Sequence, residues 1–88
     1  MIENTTTLIN RAGLHARAAS KLVELASSFG SEIKIGHDKM VDGKSILSLM
    51  MLAATKGTEI RIQIDGADEQ EAMTAILALI ADYFEEGE

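Results

Sequence analysis

The chain contains no cysteine, so a disulfide framework and a thiolate metal site are both excluded. Aromatic residues are almost absent: one Tyr, two Phe and no Trp among 88 residues. A sheet that stacks nucleic-acid bases needs exposed rings, and so few cannot supply them. Basic residues are also scarce, with 8 Lys and Arg against 14 Asp and Glu and a net charge of −6. That balance excludes a general nucleic-acid or anionic-membrane binder, which presents a basic face. No apolar run is long enough for a bilayer, because the longest, Ile46 to Thr55, is interrupted by Ser48 and falls well short of a spanning helix. Ile2-Glu3-Asn4 does not open a signal peptide, which needs basic residues and then an apolar stretch. What is present is 47% apolar residues, ordinary for a folded domain and too many for a disordered chain. The expectation is one acidic, cytoplasmic domain over residues 1–88.

Periodicity divides the chain. Ile2 to Ile9 is rich in β-branched residues and predicts a strand. Asn10 to Gly13 is a turn. From Ala16 to Phe29 the residues Ala18, Leu22, Leu25, Ala26 and Phe29 share one face of a helix that Gly30 ends. Glu32 to Ile35 alternates, Gly36-His37-Asp38 turns, and Lys39 to Val41 returns, predicting a hairpin with His37 as a solvated turn residue. Ser45 to Lys56 reads as a second helix ended by Gly57, with Leu49, Leu52 and Ala53 inward. Glu59 to Asp65 alternates cleanly, with Ile60, Ile62 and Ile64 on one side. Asp68 and Glu71 have capping-box spacing and open a third helix with apolar Ala72, Met73, Ile76, Leu77, Ile80, Tyr83 and Phe84. The acidic residues 85–88 are expected to fray. The order βαββαβα predicts an α/β (α+β) open-faced sandwich: a four-stranded antiparallel sheet with three helices on one face.

Two stretches carry chemistry. In Gly13-Leu14-His15-Ala16-Arg17 an imidazole stands where a turn becomes a helix. The first helical N–H groups, the positive end of the helix dipole and a guanidinium then surround it, which makes a site for a dianion. Like charge around the ring favours its neutral, nucleophilic form. A phosphoryl group bound to that ring would meet attractive surroundings instead. The reading is a histidine that carries a phosphoryl group; the plain alternative is a surface His or an imperfect N-cap. In Asp42-Gly43-Lys44-Ser45-Ile46-Leu47, Ser45 is placed to cap the second helix, and a phosphate on it would also lie at a helix start. The second helix holds more apolar residues than one buried stripe can use. Ile46, Leu47 and Met50 should therefore face outward as a partner-binding surface, unless they complete the core. Two histidines without a supporting carboxylate cluster give no metal site.

These residues resemble the two motifs of the histidine-containing phosphocarrier (HPr) proteins of the bacterial phosphoenolpyruvate-dependent phosphotransferase system. The likeness runs over the whole chain and includes Lys56-Gly57-Thr58. It implies a phosphocarrier and no enzyme: His15 accepts a phosphoryl group on Nδ1 from enzyme I and passes it to IIA-type domains. It implies that Arg17 assists the phosphate and that Ser45 is the target of HPr kinase/phosphorylase. Docking would involve Ile46, Leu47, Met50, Ser20 and Lys44. No cofactor, nucleic acid or membrane insertion is implied, and a monomer is expected. Three features depart from common members. Ala18 replaces a proline after the arginine, the hairpin loop is one residue shorter, and Ser20, Glu24 and Ser27 stand at often basic positions. Leu22-Val23-Glu24-Leu25 and Met50-Met51-Leu52 are similar to the nitrogen-related branch, whereas Gly43-Lys44-Ser45-Ile46 is similar to the kinase-regulated one. A purely regulatory module controlled at Ser45 is the alternative from another class.

Overall fold

Residues that alternate along strands and repeat every three to four along helices are buried together on one side of a sheet. The computed structural model describes residues 1–86. Its elements are β1 (Ile2–Thr7), α1 (Ala16–Ser27), β2 (Glu32–Gly36), β3 (Met40–Asp42), α2 (Ile46–Met51), β4 (Glu59–Asp65) and α3 (Glu69–Ala81), followed by a short turn over Tyr83–Glu85. The four strands are ordered β1-β4-β2-β3 and every pairing is antiparallel. Ile62 of β4 lies opposite Asn4 on one side and Ile35 on the other. Ile60, Ile62 and Ile64 are fully buried, as are Ile33 and Ile35 of β2. Glu59, Arg61 and Asp65 are exposed between them. On the uncovered face Gln63 Nε2 donates to Glu3 Oε1 at 2.7 Å, so polar pairs finish the surface that no helix protects. Against the apolar face lie Ala18, Ala19, Leu22 and Ala26 of α1, Leu49 of α2, and Ala72, Met73, Ile76 and Ile80 of α3. The open-faced sandwich predicted from the element order is the observed fold.

Several local expectations are corrected. The second helix is six residues, half the predicted length. Its last turn tightens through Leu52 N–H to Leu49 O and Ala53 N–H to Met50 O, and Ala53 adopts φ +51°. The Ala54 carbonyl then accepts from Leu14 N–H at 2.9 Å, a tertiary bond that a continuing helix would have lost. Hence Ala54 is buried and Ala53 exposed, the reverse of the periodic reading. Asp68 precedes α3, but its carboxylate does not cap that helix. It accepts instead from Gly30 N–H at 2.9 Å, Ser31 N–H at 3.1 Å and the Ser31 hydroxyl. These bonds, with the Ser31 hydroxyl as the largest cause, hold Asp68 below its ordinary carboxyl value. His37 is half-buried and its Nε2 lies 3.1 Å from Leu52 O, so it ties the hairpin turn to the end of α2 instead of standing in solvent.

The acidic tail was expected to fray, and its first two residues do not. Tyr83, Phe84 and Glu85 follow one another at φ +54°, +52° and +65°, a left-handed turn that reverses the chain after α3. Phe84 anchors it with no exposed surface, and Glu85 Oε1 accepts from Lys21 Nζ at 3.0 Å. Gly87 and Glu88, included in that expectation, lie outside the described residues.

Candidate functional site

The turn before α1 is built from both ends. Gly13 takes φ +67°, where an L side chain is strained, and a Cβ there would stand 2.5 Å from Ala54 O and 2.7 Å from Thr55 Cα. Asn10, fully buried, donates from Nδ2 to Gly13 O at 2.7 Å, and Gly13 N–H returns a bond to Asn10 O at 3.2 Å. Leu14 is buried and pinned by its N–H to Ala54 O. The next residue, His15, is therefore delivered to one place at the head of the helix.

His15 is the N-cap of α1, with extended backbone at φ −88° and ψ −178°. Its carbonyl accepts the first helical bond from Ala19 N–H at 2.8 Å, but its side chain makes no capping bond. The His15 side chain thus spends none of the N–H groups of the first turn. No acidic residue occupies that turn, so nothing within the helix offsets the positive end of its dipole. Arg17, one turn-step along, is exposed and its guanidinium is in no ion pair among the described residues. The ring itself is about one-third exposed, and its Nε2 stands 2.7 Å from Glu86 Oε2. Nδ1 has no partner among the described residues. The surroundings predicted from the sequence were positive only; the fold adds a carboxylate on one edge of the ring.

Ser45 stands at a different helix start. It is the N-cap of α2, and its hydroxyl oxygen accepts from Ser48 N–H at 3.2 Å. Beside it, Lys44 does not stand free: its Nζ donates to Phe29 O at 2.7 Å, just beyond the C-terminal end of α1, where a cation is electrostatically favoured. Since α2 begins near that end and its exit binds Leu14, the segment runs back along α1 towards His15. Along this path Ile46 (40%), Leu47 (70%), Met50 (42%) and Met51 (76%) are exposed. Ser20 is exposed on α1. Met51 was not singled out from the sequence, although it belongs to the same surplus of apolar residues.

The residues beside His15 that sequence reasoning missed are Asn10 and Glu86. Glu86 is 71 residues from His15, and no local pattern links the two. The one available signal was Phe84, a large apolar residue set among acidic ones and buried for that reason.

The family pattern described as the PTS HPr component phosphorylation site matches residues 2–82. The chain is 53% identical over 89 residues to the phosphocarrier protein HPr of Cupriavidus necator, covering all of both chains. It belongs to the HPr family. The HPr of Pseudomonas putida is 49% identical over 84 residues, 93% of each chain. Among solved structures, HPr-C-His from Thermoanaerobacter tengcongensis superposes with a TM-score of 0.94 at 40% identity, covering 98% of each chain. The family's members are bacterial phosphocarriers of the phosphotransferase system, which carry a group instead of catalysing a reaction in the usual sense. No helix among the described residues is long and apolar enough to cross a membrane.

Proposed function

We propose that this HPr-family domain, acting over residues 1–88 as one unit, accepts a phosphoryl group from enzyme I on His15 and passes it to IIA-type domains. The observation that carries this reading is the state of the α1 N-terminus: the residue at the cap is a histidine whose side chain does not cap. A serine or aspartate there would consume the N–H groups, whereas the histidine leaves them to an anion. Nδ1 attacks the incoming phosphorus, and the phosphoryl oxygens meet the N–H groups of the first turn and the Arg17 guanidinium. The interactions are individually modest, about 0.3–1 kcal/mol for each exposed charge at a helix end. That scale suits a carrier, which must release what it binds. Ile46, Leu47 and Met50, with Ser20 and Lys44 flanking them, form the docking surface for both donor and acceptor. The protein works as a cytoplasmic monomer, although one related structure is described as an HPr dimer from Thermoanaerobacter tengcongensis. Incubation with enzyme I and phosphoenolpyruvate should add one acid-labile, base-stable phosphoryl group, read by intact mass and absent in His15→Ala. A wild-type chain that stays unmodified while a control carrier reacts would end this reading.

A second role is supported by the position of Ser45 at the start of the exposed apolar segment. Phosphorylation by HPr kinase/phosphorylase would add charge beside Ile46 and Leu47, weakening docking without opening the core. Ser45→Asp should lower affinity for enzyme I while leaving the thermal midpoint within a few degrees of wild type. Unchanged affinity would remove the regulatory role and leave the carrier intact.

A further inference from the structure

We propose that Glu86 is a positioning residue for phosphoryl transfer: its carboxylate accepts the Nε2–H of His15, leaves the Nδ1 lone pair as the nucleophile and balances the charge the ring acquires. The inference rests on His15 being the phosphoryl acceptor and adds a residue that the carrier motif does not contain.

The geometry assigns the proton. Glu86 Oε2 lies 2.7 Å from His15 Nε2, within the range of a charge-assisted hydrogen bond. An ionised carboxylate can only accept, and a neutral imidazole has one N–H to give. The proton of the neutral ring therefore sits on Nε2, and Nδ1 is bare. The carboxylate occupies the Nε2 edge, so it does not stand between an incoming phosphoryl group and Nδ1.

The contact is built rather than incidental. The Glu86 side chain is 12% exposed, whereas its neighbour Glu85 is 61% exposed. Burial of a carboxylate is unfavourable unless partners hold it. Its second oxygen has one: Asn10 Nδ2 donates to Glu86 Oε1 at 3.2 Å and to Gly13 O at 2.7 Å. One fully buried amide thus joins the tail carboxylate to the turn that positions the ring. The backbone gives a second, independent observation. Three consecutive non-glycine residues adopt the left-handed conformation to bring Glu86 to this point, an arrangement that L-residues avoid. The buried Phe84 ring and the Lys21–Glu85 pair hold that conformation in place.

In the transfer step the Nδ1 lone pair forms a bond to phosphorus. The bond that holds phosphorus to the donor atom of phosphorylated enzyme I breaks, and its electron pair returns to that donor atom. No proton need leave His15. The ring then holds phosphorus at Nδ1 and hydrogen at Nε2, with a positive charge delocalised between them. The Glu86 carboxylate faces that charge, and the same hydrogen bond strengthens as the N–P bond forms.

The test uses the full-length 15N-labelled chain as wild type, Glu86→Ala and Glu86→Gln. At a pH where the ring is neutral, the wild type should give an Nε2-protonated spectrum of His15 with a slowly exchanging, downfield Nε2–H signal. Glu86→Ala should lose that slow exchange and accept phosphoryl groups from enzyme I on the order of tenfold more slowly, the scale of one charge-assisted hydrogen bond. Glu86→Gln retains an acceptor oxygen without the charge, so it should keep the Nε2-protonated spectrum and show an intermediate rate. Amide spectra of α3 and the sheet establish that each variant is folded. An Nδ1-protonated ring in the wild type would overturn the proposal. So would a ring signal or a rate that does not change in folded Glu86→Ala, as would a slower rate with an unaltered ring signal, which is what a purely structural tail contact would produce. A ring signal that responds to Glu86 in a protein that never takes up phosphate would instead retain the contact and refute the carrier reading.

Discussion

The N-termini of α1 and α2 begin from similar backbone and end in opposite states. His15 and Ser45 are both N-caps with extended conformation, and neither helix has an acidic first turn. Ser45 spends its oxygen on its own helix, accepting from Ser48 N–H, so the donors of that turn are partly satisfied. His15 offers its ring elsewhere and leaves the first turn of α1 open. A third start, that of α3, lends its Asp68 carboxylate to Gly30 and Ser31 across the molecule. The comparison teaches that a cap position is a choice between stability and reactivity. The side chain that would best close the helix is also the one that would close the anion site.

Giving α1 the serine cap that α2 has breaks the comparison most completely. Made in a Glu86→Ala background, so that no half-buried carboxylate loses its ring partner, His15→Ser should abolish phosphoryl uptake, since the nucleophile is gone, yet raise unfolding stability by about 0.5–1 kcal/mol through a normal N-cap. Chemical denaturation beside the phosphorylation assay checks both halves, and a destabilised His15→Ser would mean the ring, not the open helix end, supports the fold. Gly13→Ala attacks the turn that delivers the ring. The left-handed φ costs about 1–2 kcal/mol, and the clash with the Ala54 and Thr55 backbone adds to it, so a loss of about 3 kcal/mol is expected, with slower uptake even in the folded fraction. Ser45→Ala removes a cap that is already in use and should cost about 1 kcal/mol without slowing uptake at His15. The smallest effect is read from the acid limb of the stability curve. Asp68 titrates below its ordinary 3.8 when folded, so its contribution is present above that value and is lost as pH falls through the lower, folded-state one. Asp68→Asn should therefore flatten the acid limb of a stability-against-pH curve while lowering the thermal midpoint at neutral pH by a few degrees. A parallel shift with no change in slope would show that the carboxylate's charge is not what matters.

Much of the molecule was legible along the chain because its causes are local. Ile60, Ile62 and Ile64 alternate with Arg61 and Gln63, and a pleated strand can put such residues on one face only. Ala18, Leu22 and Ala26 recur at helical spacing, so α1 and its buried stripe follow from the same geometry. Gly13 ahead of His15, with alanines and Arg17 behind it, sufficed to place the ring at a helix start. The surplus of Ile46, Leu47 and Met50 over one stripe sufficed to turn apolar side chains outward. Other features depend on where distant segments meet. The end of α2 at Met51 follows from Ala54 O being taken by Leu14, forty residues earlier in the chain, and local propensity cannot anticipate that competition. Asp68 carries the spacing of a capping box and serves another loop, because Gly30 and Ser31 arrive beside it. Glu86 looked like part of a solvated acidic end. Only the buried Phe84 and the left-handed turn around it carry that carboxylate back to His15. Nearest-neighbour geometry writes periodicity into a sequence, but a contact across 71 residues exists only once the whole chain has chosen its path.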